Sequence, residues 1–473
     1  MITAPFELPA EREKVIEKLA AKASAPHGGM MGEAPKEKPD SEAVWKSLRP
    51  ADATSASRPA PDSNPQTPKP SNPPFVFYLH IPFCVARCAF CGFYRNQTND
   101  EAMENYTRHL LKEIDRVADE GVFTKRPVDI VYFGGGTPTA LTADQLRRLI
   151  TRLHERFTIS PQVEFTIEGR IYNFDDERVR ACVDSGANRF SFGVQSFETE
   201  LRRLLGRRNS REELLERLRR IKEICGDRAA LVADLIYGLP GQSQADWMER
   251  NVKTAHESAL DGVDIYSLKI FPGSPIEKMF DSRGGRWSEE ERIRRHAEAC
   301  DWLVGTGWKQ LSTTHFGRNA LERNLYNHWA MSGAEMVPFG CGAGGSVGGW
   351  SIMQTGDLAQ YLEMVDKGLK PIGMCMKLPP TASVRTTLAG QLGYGWFEPA
   401  SMPQVDYSKL VANWEKAGVW REQMPGRYRL TRLGEYFQPK ILSMLMGYTM
   451  ANSMSLGEAL KMAQQKIMSK IRG

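Results

Sequence analysis

From Phe75 onward, short runs of β-branched and aromatic residues alternate with longer segments that have the periodicity of amphipathic helices. This alternation predicts parallel βαβ units, because two parallel strands must be joined by a crossover connection about as long as a helix. Six such units predict an α/β fold, a partial (β/α)6 barrel of the TIM-like kind, with functional side chains at the carboxyl ends of its strands. The predicted strands are 75–79, 128–133, 163–167, 189–193, 230–236 and 263–268, and the predicted helices between them are 103–117, 142–156, 212–224 and 245–258.

Changes in composition divide the chain into four regions. Residues 1–74 are rich in Pro, Ser, Ala and Lys, which predicts a disordered or weakly ordered extension, because such a segment buries too little surface to offset its ordering entropy. The predicted barrel occupies 75–310, and 311–374 extend it with a Gly-rich segment for substrate or cofactor. Residues 375–473 predict a small, mostly helical domain with a winged-helix-like unit within it, over 410–437.

Composition also limits the partners and the location that we expect. The net charge is only +5 over 473 residues and no basic segment is interleaved with aromatic residues, so we expect no nucleic-acid partner. No apolar run reaches the ~18 residues of a membrane span. Charged residues stand near the N-terminus where a signal peptide would be apolar. The sequence therefore predicts a cytoplasmic protein without a membrane span.

Three of the eight cysteines, Cys84, Cys88 and Cys91, lie in the spacing C-x3-C-x2-C directly after the first predicted strand. Thiolates are the usual protein ligands of iron–sulfur clusters, and three on one loop can converge on a four-iron, four-sulfur cluster. With three protein ligands, one iron stays open to chelate a small molecule, as a catalytic metal site requires. The alternatives are three clustered core cysteines or a zinc site, although zinc usually takes four ligands.

The motif from Tyr78 to Cys91 resembles the radical S-adenosylmethionine (SAM) superfamily. This resemblance implies a [4Fe-4S] cluster held by Cys84, Cys88 and Cys91 and a SAM molecule chelated by the open iron. Reductive cleavage of SAM then yields a 5′-deoxyadenosyl radical. It also implies a partner that supplies electrons, such as a flavodoxin or a ferredoxin.

Several further segments lie where the predicted strands end. The Gly-rich run 133–138 allows a close backbone approach to a ligand, and Gln195 offers a donor and an acceptor for a nucleoside. Together these segments resemble the branch that contains the oxygen-independent coproporphyrinogen III dehydrogenases, in which two SAM molecules can share one pocket. The resemblance implies that SAM is contacted by Tyr78, Gly135, Gly136, Thr137, Glu168, Gln195, Arg207 and Asp234.

Three functions occur among proteins of this kind: anaerobic opening of the haem ring, haem chaperoning and coproporphyrinogen III oxidation. The dehydrogenases carry a further cysteine where this chain has Phe93, which counts against oxidation. The segments 167–177, 187–191 and 323–346 resemble the haem-degrading radical SAM methyltransferases of the anaerobilin synthase type. We therefore predict a methyltransferase that opens haem, releases its iron and forms a methylated linear tetrapyrrole, with a haem chaperone and a coproporphyrinogen III dehydrogenase as alternatives.

For haem itself, His315 is the predicted axial ligand, since it would follow a seventh strand and lie near the barrel mouth. His328 and Cys341 are the other candidates, because histidine and cysteine both ligate haem iron in proteins. Arg318 or Arg323 could pair with a propionate group.

Overall fold

A computed structural model describes residues 40–48, 74–91, 96–379 and 381–453. The described residues form two compact units, of which the first runs to Leu378 and the second begins at Pro379. The predicted boundary at residue 375 falls inside a hydrogen-bonded strand of the first unit, so this unit extends a few residues further than the composition indicated.

The first unit is built on one large sheet and one small one. Its strands are β1 (Phe75–Ile81), β2 (Phe83–Cys84), β3 (Asn96–Gln97), β4 (Val128–Gly135), β5 (Ile159–Gly169), β6 (Arg189–Gln195), β7 (Ala230–Tyr237), β8 (Gly262–Ser267), β9 (Lys309–Gln310), β10 (His315–Gly317), β11 (Glu335–Phe339), β12 (Gly344–Val347), β13 (Trp350–Gln354) and β14 (Ile372–Lys377). The large sheet has the order β14-β13-β12-β11-β1-β4-β5-β6-β7-β8-β10-β9, and β2 pairs with β3.

The helices of the first unit connect these strands. They are α1 (Ser41–Ser47), α2 (Asp100–Asp119), α3 (Ala143–Arg156), α4 (Asp176–Asp184), α5 (Thr199–Leu204), α6 (Arg211–Cys225), α7 (Gln244–Asp246, Trp247–Val252 and Lys253–Glu257, with a π-helical middle), α8 (Pro275–Arg283), α9 (Glu289–Gly305), α10 (Leu325–Met331) and α11 (Leu358–Asp366). Capping boxes begin α3 at Thr142, α6 at Ser210 and α9 at Ser288, and each satisfies orphan N–H groups of the first turn.

The predicted partial barrel is confirmed. The six predicted strands pair in parallel in the order β1-β4-β5-β6-β7-β8, with helices between them. A seventh parallel strand is β11, which pairs with the free side of β1. The strand expected before His315 is antiparallel, because β9 and β10 are joined by only residues 311–314, too short a connection for a parallel crossover.

Side chains of the parallel strands alternate between two environments. Phe165 and Ile167 of β5 point toward the helices and are fully buried. Glu164 and Glu168, on the other face of the same strand, point into the barrel lumen. The lumen is therefore lined with polar groups, whereas the apolar core lies between sheet and helices.

Helix α1 lies within the region that composition predicted to be disordered, so that prediction is wrong for residues 40–48. Val44, Trp45 and Leu48 are buried, and the Trp45 indole N–H donates to Glu120 at 2.7 Å. Three apolar side chains are enough to dock one short helix. The composition averaged over residues 1–74 does not reveal so short an apolar patch. The other residues of that segment fall outside the described ranges.

The second unit combines helices with a three-stranded antiparallel sheet of order β15-β17-β16. Its elements are α12 (Ala382–Gly393), β15 (Trp396–Phe397), α13 (Ser408–Lys416), β16 (Trp420–Met424), β17 (Arg427–Leu430), α14 (Arg432–Tyr436) and α15 (Gln438–Ser453). Most of its residues in regular structure are helical, which confirms the predicted mostly helical domain; a winged-helix-like unit over 410–437 stays a prediction.

A buried carboxylate, Glu113 of α2, anchors the part of the large sheet beyond β1. It accepts hydrogen bonds from the Gly340 N–H at 2.9 Å and the Tyr361 hydroxyl at 2.7 Å. It also pairs with the buried Lys370 ammonium at 2.6 Å and accepts from the Gln354 amide at 2.7 Å. One side chain thus ties together α2, the Gly-rich loop, β13 and α11.

We expect Glu113→Ala to lower the free energy of unfolding by about 3–5 kcal/mol, because it leaves the Lys370 charge buried without its partner. Lys112→Ala is the matched control, since Lys112 pairs with Asp366 in an exposed ion pair worth about 0–1 kcal/mol. Urea unfolding of both variants measures the difference. Equal losses would contradict the anchoring role of Glu113.

Candidate functional site: a cysteine loop at the mouth of a polar barrel

The three motif cysteines lie on the loop that leaves β1. Cys84 and Cys88 are buried, Cys91 is half-buried, and none of the three is in a disulfide. The Cys91 N–H donates to the Cys88 carbonyl at 3.2 Å, which forms a tight turn between them. Burial raises the pKa of the Cys84 thiol, opposed by the Thr137 hydroxyl, which donates to its sulfur at 3.7 Å. The loop therefore offers three sulfur ligands at the carboxyl end of the first strand.

Arg170, directly after β5, contacts this loop. Its guanidinium donates to the Cys88 sulfur and to the Ala86 carbonyl, each at 2.7 Å. The Arg170 N–H donates to the Thr139 hydroxyl at 3.0 Å, so the backbone that carries the side chain is held in place as well. A positive charge hydrogen-bonded to a ligating thiolate stabilises the more negative, reduced state of a cluster. Arg170 lies in the segment 167–177 that resembles the haem-degrading methyltransferases, but no local sequence pattern predicts its contact with the Cys88 sulfur.

The Gly-rich turn after β4 packs directly on the cysteine loop. The Gly136 N–H donates to the Ile81 carbonyl at 2.7 Å, and a Cβ on Gly136 would lie 2.4 Å from the Phe83 carbonyl oxygen. Gly135 has φ +104°, and a Cβ there would lie 2.6 Å from the His80 ring. Only glycine allows this close approach of turn and loop.

The Glu168 side chain points into the lumen and lies beside a stack of tyrosine rings. Its carboxylate accepts a hydrogen bond from the Tyr132 hydroxyl, and Tyr132 stacks on Tyr326 with ring centroids 3.7 Å apart. Tyr78 stacks at 6.2 Å from both tyrosines, and its hydroxyl lies 3.0 Å from the His80 ring nitrogen. Burial raises the pKa of Glu168, opposed by hydrogen bonds from Tyr132 and the Gly135 backbone. The geometry suits a ligand with hydroxyl groups and an aromatic base.

Gln195 and Arg207 converge at the end of β6. Gln195 has φ +69°, a left-handed conformation that costs energy in a residue other than glycine and is typical of functional sites. A Cβ on Gly193 would lie 2.6 Å from the Gln195 amide and 3.2 Å from the Arg207 guanidinium. The Arg207 Nε is buried without a hydrogen-bond partner, while its charge interacts with Cys88, Cys91 and Asp234. An unsatisfied donor of this kind indicates a place for a polar ligand.

Asp234, on β7, is the last of the predicted SAM-contacting residues. Burial raises its pKa to about 8, and the nearby carboxylates Asp264 and Glu168 add to the rise. At neutral pH this carboxyl is therefore able to hold or release a proton inside the lumen. The structure thus brings every predicted SAM-contacting residue to the same edge of the sheet as the cysteine loop; their contact with SAM stays a prediction. A small cavity of about 30 Å³ lies beside Arg207, and it is also lined by Val85, Arg170 and Gly193.

His315 lies in the lumen beside Asp264, which pairs in register with Asp234, and the structure does not support its prediction as a haem ligand. It is fully buried, and its two ring nitrogens bond to Asp264 at 2.6 Å and Glu322 at 3.0 Å, so neither is left for iron. Glu322 in turn accepts from the buried Arg189 guanidinium at 3.0 Å. The four side chains form a buried charge network that no local sequence pattern indicated.

The other haem candidates are also engaged elsewhere. His328 and Cys341 are buried, and burial lowers the pKa of His328 to about 3. Arg318 donates to the Ser258 carbonyl at 3.0 Å, and Arg323 donates to the carbonyls of residues 162 and 163 at 2.9 Å. The two arginines are therefore engaged by backbone carbonyls, and the other two candidates are buried.

The residues present fit a cluster and a chelated nucleoside cofactor: three sulfur donors, a cationic pair beside them, and a polar pocket with an unsatisfied arginine. Fold and site together define an enzyme of the kind in which an iron–sulfur cluster activates a small ligand at the mouth of a partial barrel. The chain belongs to the radical SAM superfamily, whose family model matches residues 78–250, and it therefore uses a [4Fe-4S] cluster and SAM.

Named relatives place the chain within one branch of that superfamily. The anaerobilin synthase of Escherichia coli O157:H7 is 39% identical over 381 residues, which cover 78% of this chain and 83% of that protein. The haem chaperone HemW of Bacillus subtilis is 27% identical and covers 62% of this chain and 76% of its own length. An oxygen-independent coproporphyrinogen III oxidase from Synechocystis sp. is also 27% identical, over 67% of this chain and 70% of that protein.

The solved structure of coproporphyrinogen III oxidase from Escherichia coli, described as a radical SAM enzyme, matches the fold with a TM-score of 0.65. The match covers 78% of this chain and 89% of that chain at 23% identity. No helix among the described residues is both long and apolar enough to cross a membrane.

We expect Arg170→Met to make the reconstituted cluster harder to reduce, because it removes a positive hydrogen-bond donor from the Cys88 sulfur. The measurement is a redox experiment with mediators followed by electron paramagnetic resonance. Arg208→Met is the matched control, since Arg208 lines the same cavity but bonds to the exposed Tyr172 hydroxyl at 3.3 Å. A reduction potential unchanged in both variants would contradict this role.

Burial lowers the pKa of His315, but Asp264 and Glu322 outweigh it and raise the pKa to about 9. The folded protein then keeps a proton that the unfolded chain releases near pH 6.5. We expect the free energy of unfolding to fall by up to about 3 kcal/mol from pH 6.5 to 9, and His315→Gln to remove this part of the fall. His154→Gln is the control, since partial burial lowers the pKa of His154. Unfolding curves with equal pH slopes in the wild type and His315→Gln would refute the assignment.

Proposed function

We propose that the protein is a radical SAM methyltransferase that opens the haem porphyrin ring without oxygen, releases the iron and forms a methylated linear tetrapyrrole. The observation that carries this proposal is the 39% identity to an anaerobilin synthase over 78% of the chain. That similarity extends well beyond the 78–250 segment common to the superfamily, into the residues that surround the lumen. By comparison, the chaperone relative reaches 27% over 62% of the chain.

The cluster, with Cys84, Cys88 and Cys91 as its ligands, and the bound SAM would supply the radical chemistry. The chain's own residues would orient the bound SAM molecule and hold the cluster ligands in place. Gly135 and Gly136 bring the backbone close enough to bind the amino acid end of SAM, and Thr137 fixes the sulfur of Cys84. Gln195 and Arg207 offer donors to the same molecule at the other side of the pocket.

Two lumen carboxyls suit the handling of protons near the substrate. Asp234, with a pKa of about 8, can exchange a proton near neutral pH, and burial raises the pKa of Glu168 as well. A second SAM molecule in the pocket is part of this proposal, as in the branch that the segments around these residues resemble. An acidic electron carrier such as a flavodoxin or a ferredoxin is the proposed partner, and the half-buried Cys91 puts one edge of the cysteine loop near the surface.

A haem chaperone is the second candidate, favoured by the HemW relatives. Such a protein would bind haem without converting it. Phe93, whose position counted against coproporphyrinogen oxidation, lies outside the described residues.

The deciding experiment incubates the reconstituted protein with haem, SAM and a reductant without oxygen. We expect 5′-deoxyadenosine, free iron and a methylated linear tetrapyrrole by mass spectrometry. Haem binding that leaves the macrocycle intact, under conditions that cleave SAM, would favour the chaperone instead.

Cys88→Ala should abolish 5′-deoxyadenosine formation, because two thiolates hold the cluster poorly. Cys225→Ala removes a buried cysteine of α6 away from the motif and should retain it. Undiminished SAM cleavage by Cys88→Ala would overturn the assignment of the cluster ligands.

A further inference from the structure

The antiparallel strands β12, β13 and β14 present two very different faces. On one face Val347, Ile352 and Cys375 are almost fully buried, and Cys375 contacts Ser41 of α1. On the opposite face Met353 is 45% exposed and Met374 is 41% exposed. One side of this part of the sheet is therefore core, while the other displays large apolar side chains.

The exposed side is a continuous set of methionines and very small residues. Met353 lies opposite Met374 on β14 and opposite Gly344 on β12, and a Cβ on Gly344 would lie 3.4 Å from the Met353 sulfur. We call this surface the methionine face; its residues are Gly344, Ser346, Ser351, Met353, Met374 and Met376. It is flat because glycine and serine flank the methionines, and it has no charged side chain.

The methionine face is continuous with the barrel lumen. Ser346 pairs with Met336, and β11 pairs in parallel with β1, so that Pro338 lies opposite Tyr78. Opposed residues of paired strands point to the same side of a sheet, so the methionine face and the Tyr78 side chain share one side. The row of residues on this side of the sheet runs from Tyr78 and Pro338 through the paired Met336 and Ser346 to Gly344, Met353 and Met374.

The chemistry of this surface selects its ligand. Three strands span about 10 Å, which is the scale of a porphyrin ring. Exposed apolar patches of this kind mark binding sites, and methionine adapts its unbranched, polarizable side chain to a flat aromatic partner. The row also leads from this surface to the contacting side chains Tyr78, Tyr132 and Glu168. The edge of the substrate that reacts has to lie near these side chains.

We propose that the methionine face binds the flat apolar ring of the tetrapyrrole substrate, with one edge of the ring directed along the row into the lumen. This inference rests on the proposed function, and it adds the surface on which the substrate lies. The ring packs against the thioether side chains, and its carboxylates lie beyond this uncharged surface.

The test combines Met353→Asp with Met374→Asp in the full chain with its cluster reconstituted. Both side chains are exposed in the wild type, so the substitutions leave the fold intact, while they place two charges against the ring. We expect haem to bind about tenfold more weakly or worse, by anaerobic absorbance measurements, with 5′-deoxyadenosine formation in the absence of haem unchanged.

Two controls sharpen the test. Val304→Asp changes an apolar residue that is 44% exposed on α9, a helix that packs against β8 at the other end of the sheet, and should alter haem affinity by less than about twofold. Combined Met353→Leu and Met374→Leu keeps the apolar surface and should also preserve affinity. Loss of affinity in the leucine pair as large as in the aspartate pair would overturn apolar packing as the mode of binding.

Wild-type haem affinity in the aspartate pair would overturn the site while leaving the proposed function standing. So would a change of oligomeric state in this pair with unchanged haem affinity, because the face would then join copies of the chain. A wild-type protein that neither binds nor converts haem would instead refute the proposed function itself.

Discussion

The parallel pairing of β1 with β4 is the interaction on which the site depends. It sets Tyr78 opposite Tyr132 and Ile81 opposite Gly135, and the Gly136 N–H then closes onto the Ile81 carbonyl. The loop that carries the cysteines and the Gly-rich turn are thus joined through backbone hydrogen bonds. The side-chain contact of Thr137 with the Cys84 sulfur follows from that register.

The lumen of the barrel holds charges where many barrels hold branched aliphatic side chains. Arg189, Glu322, His315 and Asp264 pair with one another, which offsets part of the cost of burying them, although the Arg189 Nη2 has no hydrogen-bond partner. The arrangement also affects the electrostatics beside it, because the Asp264 carboxylate helps to raise the pKa of Asp234. The buried charge network therefore influences the pKa of a neighbouring carboxyl on the adjacent strand.

The fold by itself admits several chemistries, and relatives with different names share it. The difference in function between these relatives must therefore come from the side chains around a common cofactor site. In this chain Arg170 touches the cysteine loop and the methionine face extends the lumen side of the sheet. Both features belong to segments beyond the cysteine motif, so the motif alone does not distinguish one function from another.

The sequence by itself determined the parts that depend on neighbours along the chain. Strand and helix periodicity are local, so the six parallel strands were predictable, and the spacing of Cys84, Cys88 and Cys91 is local as well. Tertiary structure alone decided the rest. Strand β11 joins β1 across a separation that no local pattern records, and His315 is engaged by Asp264, which is 51 residues away. A side chain's chemistry is set by the groups that surround it in space, and long-range strand pairing chooses those groups.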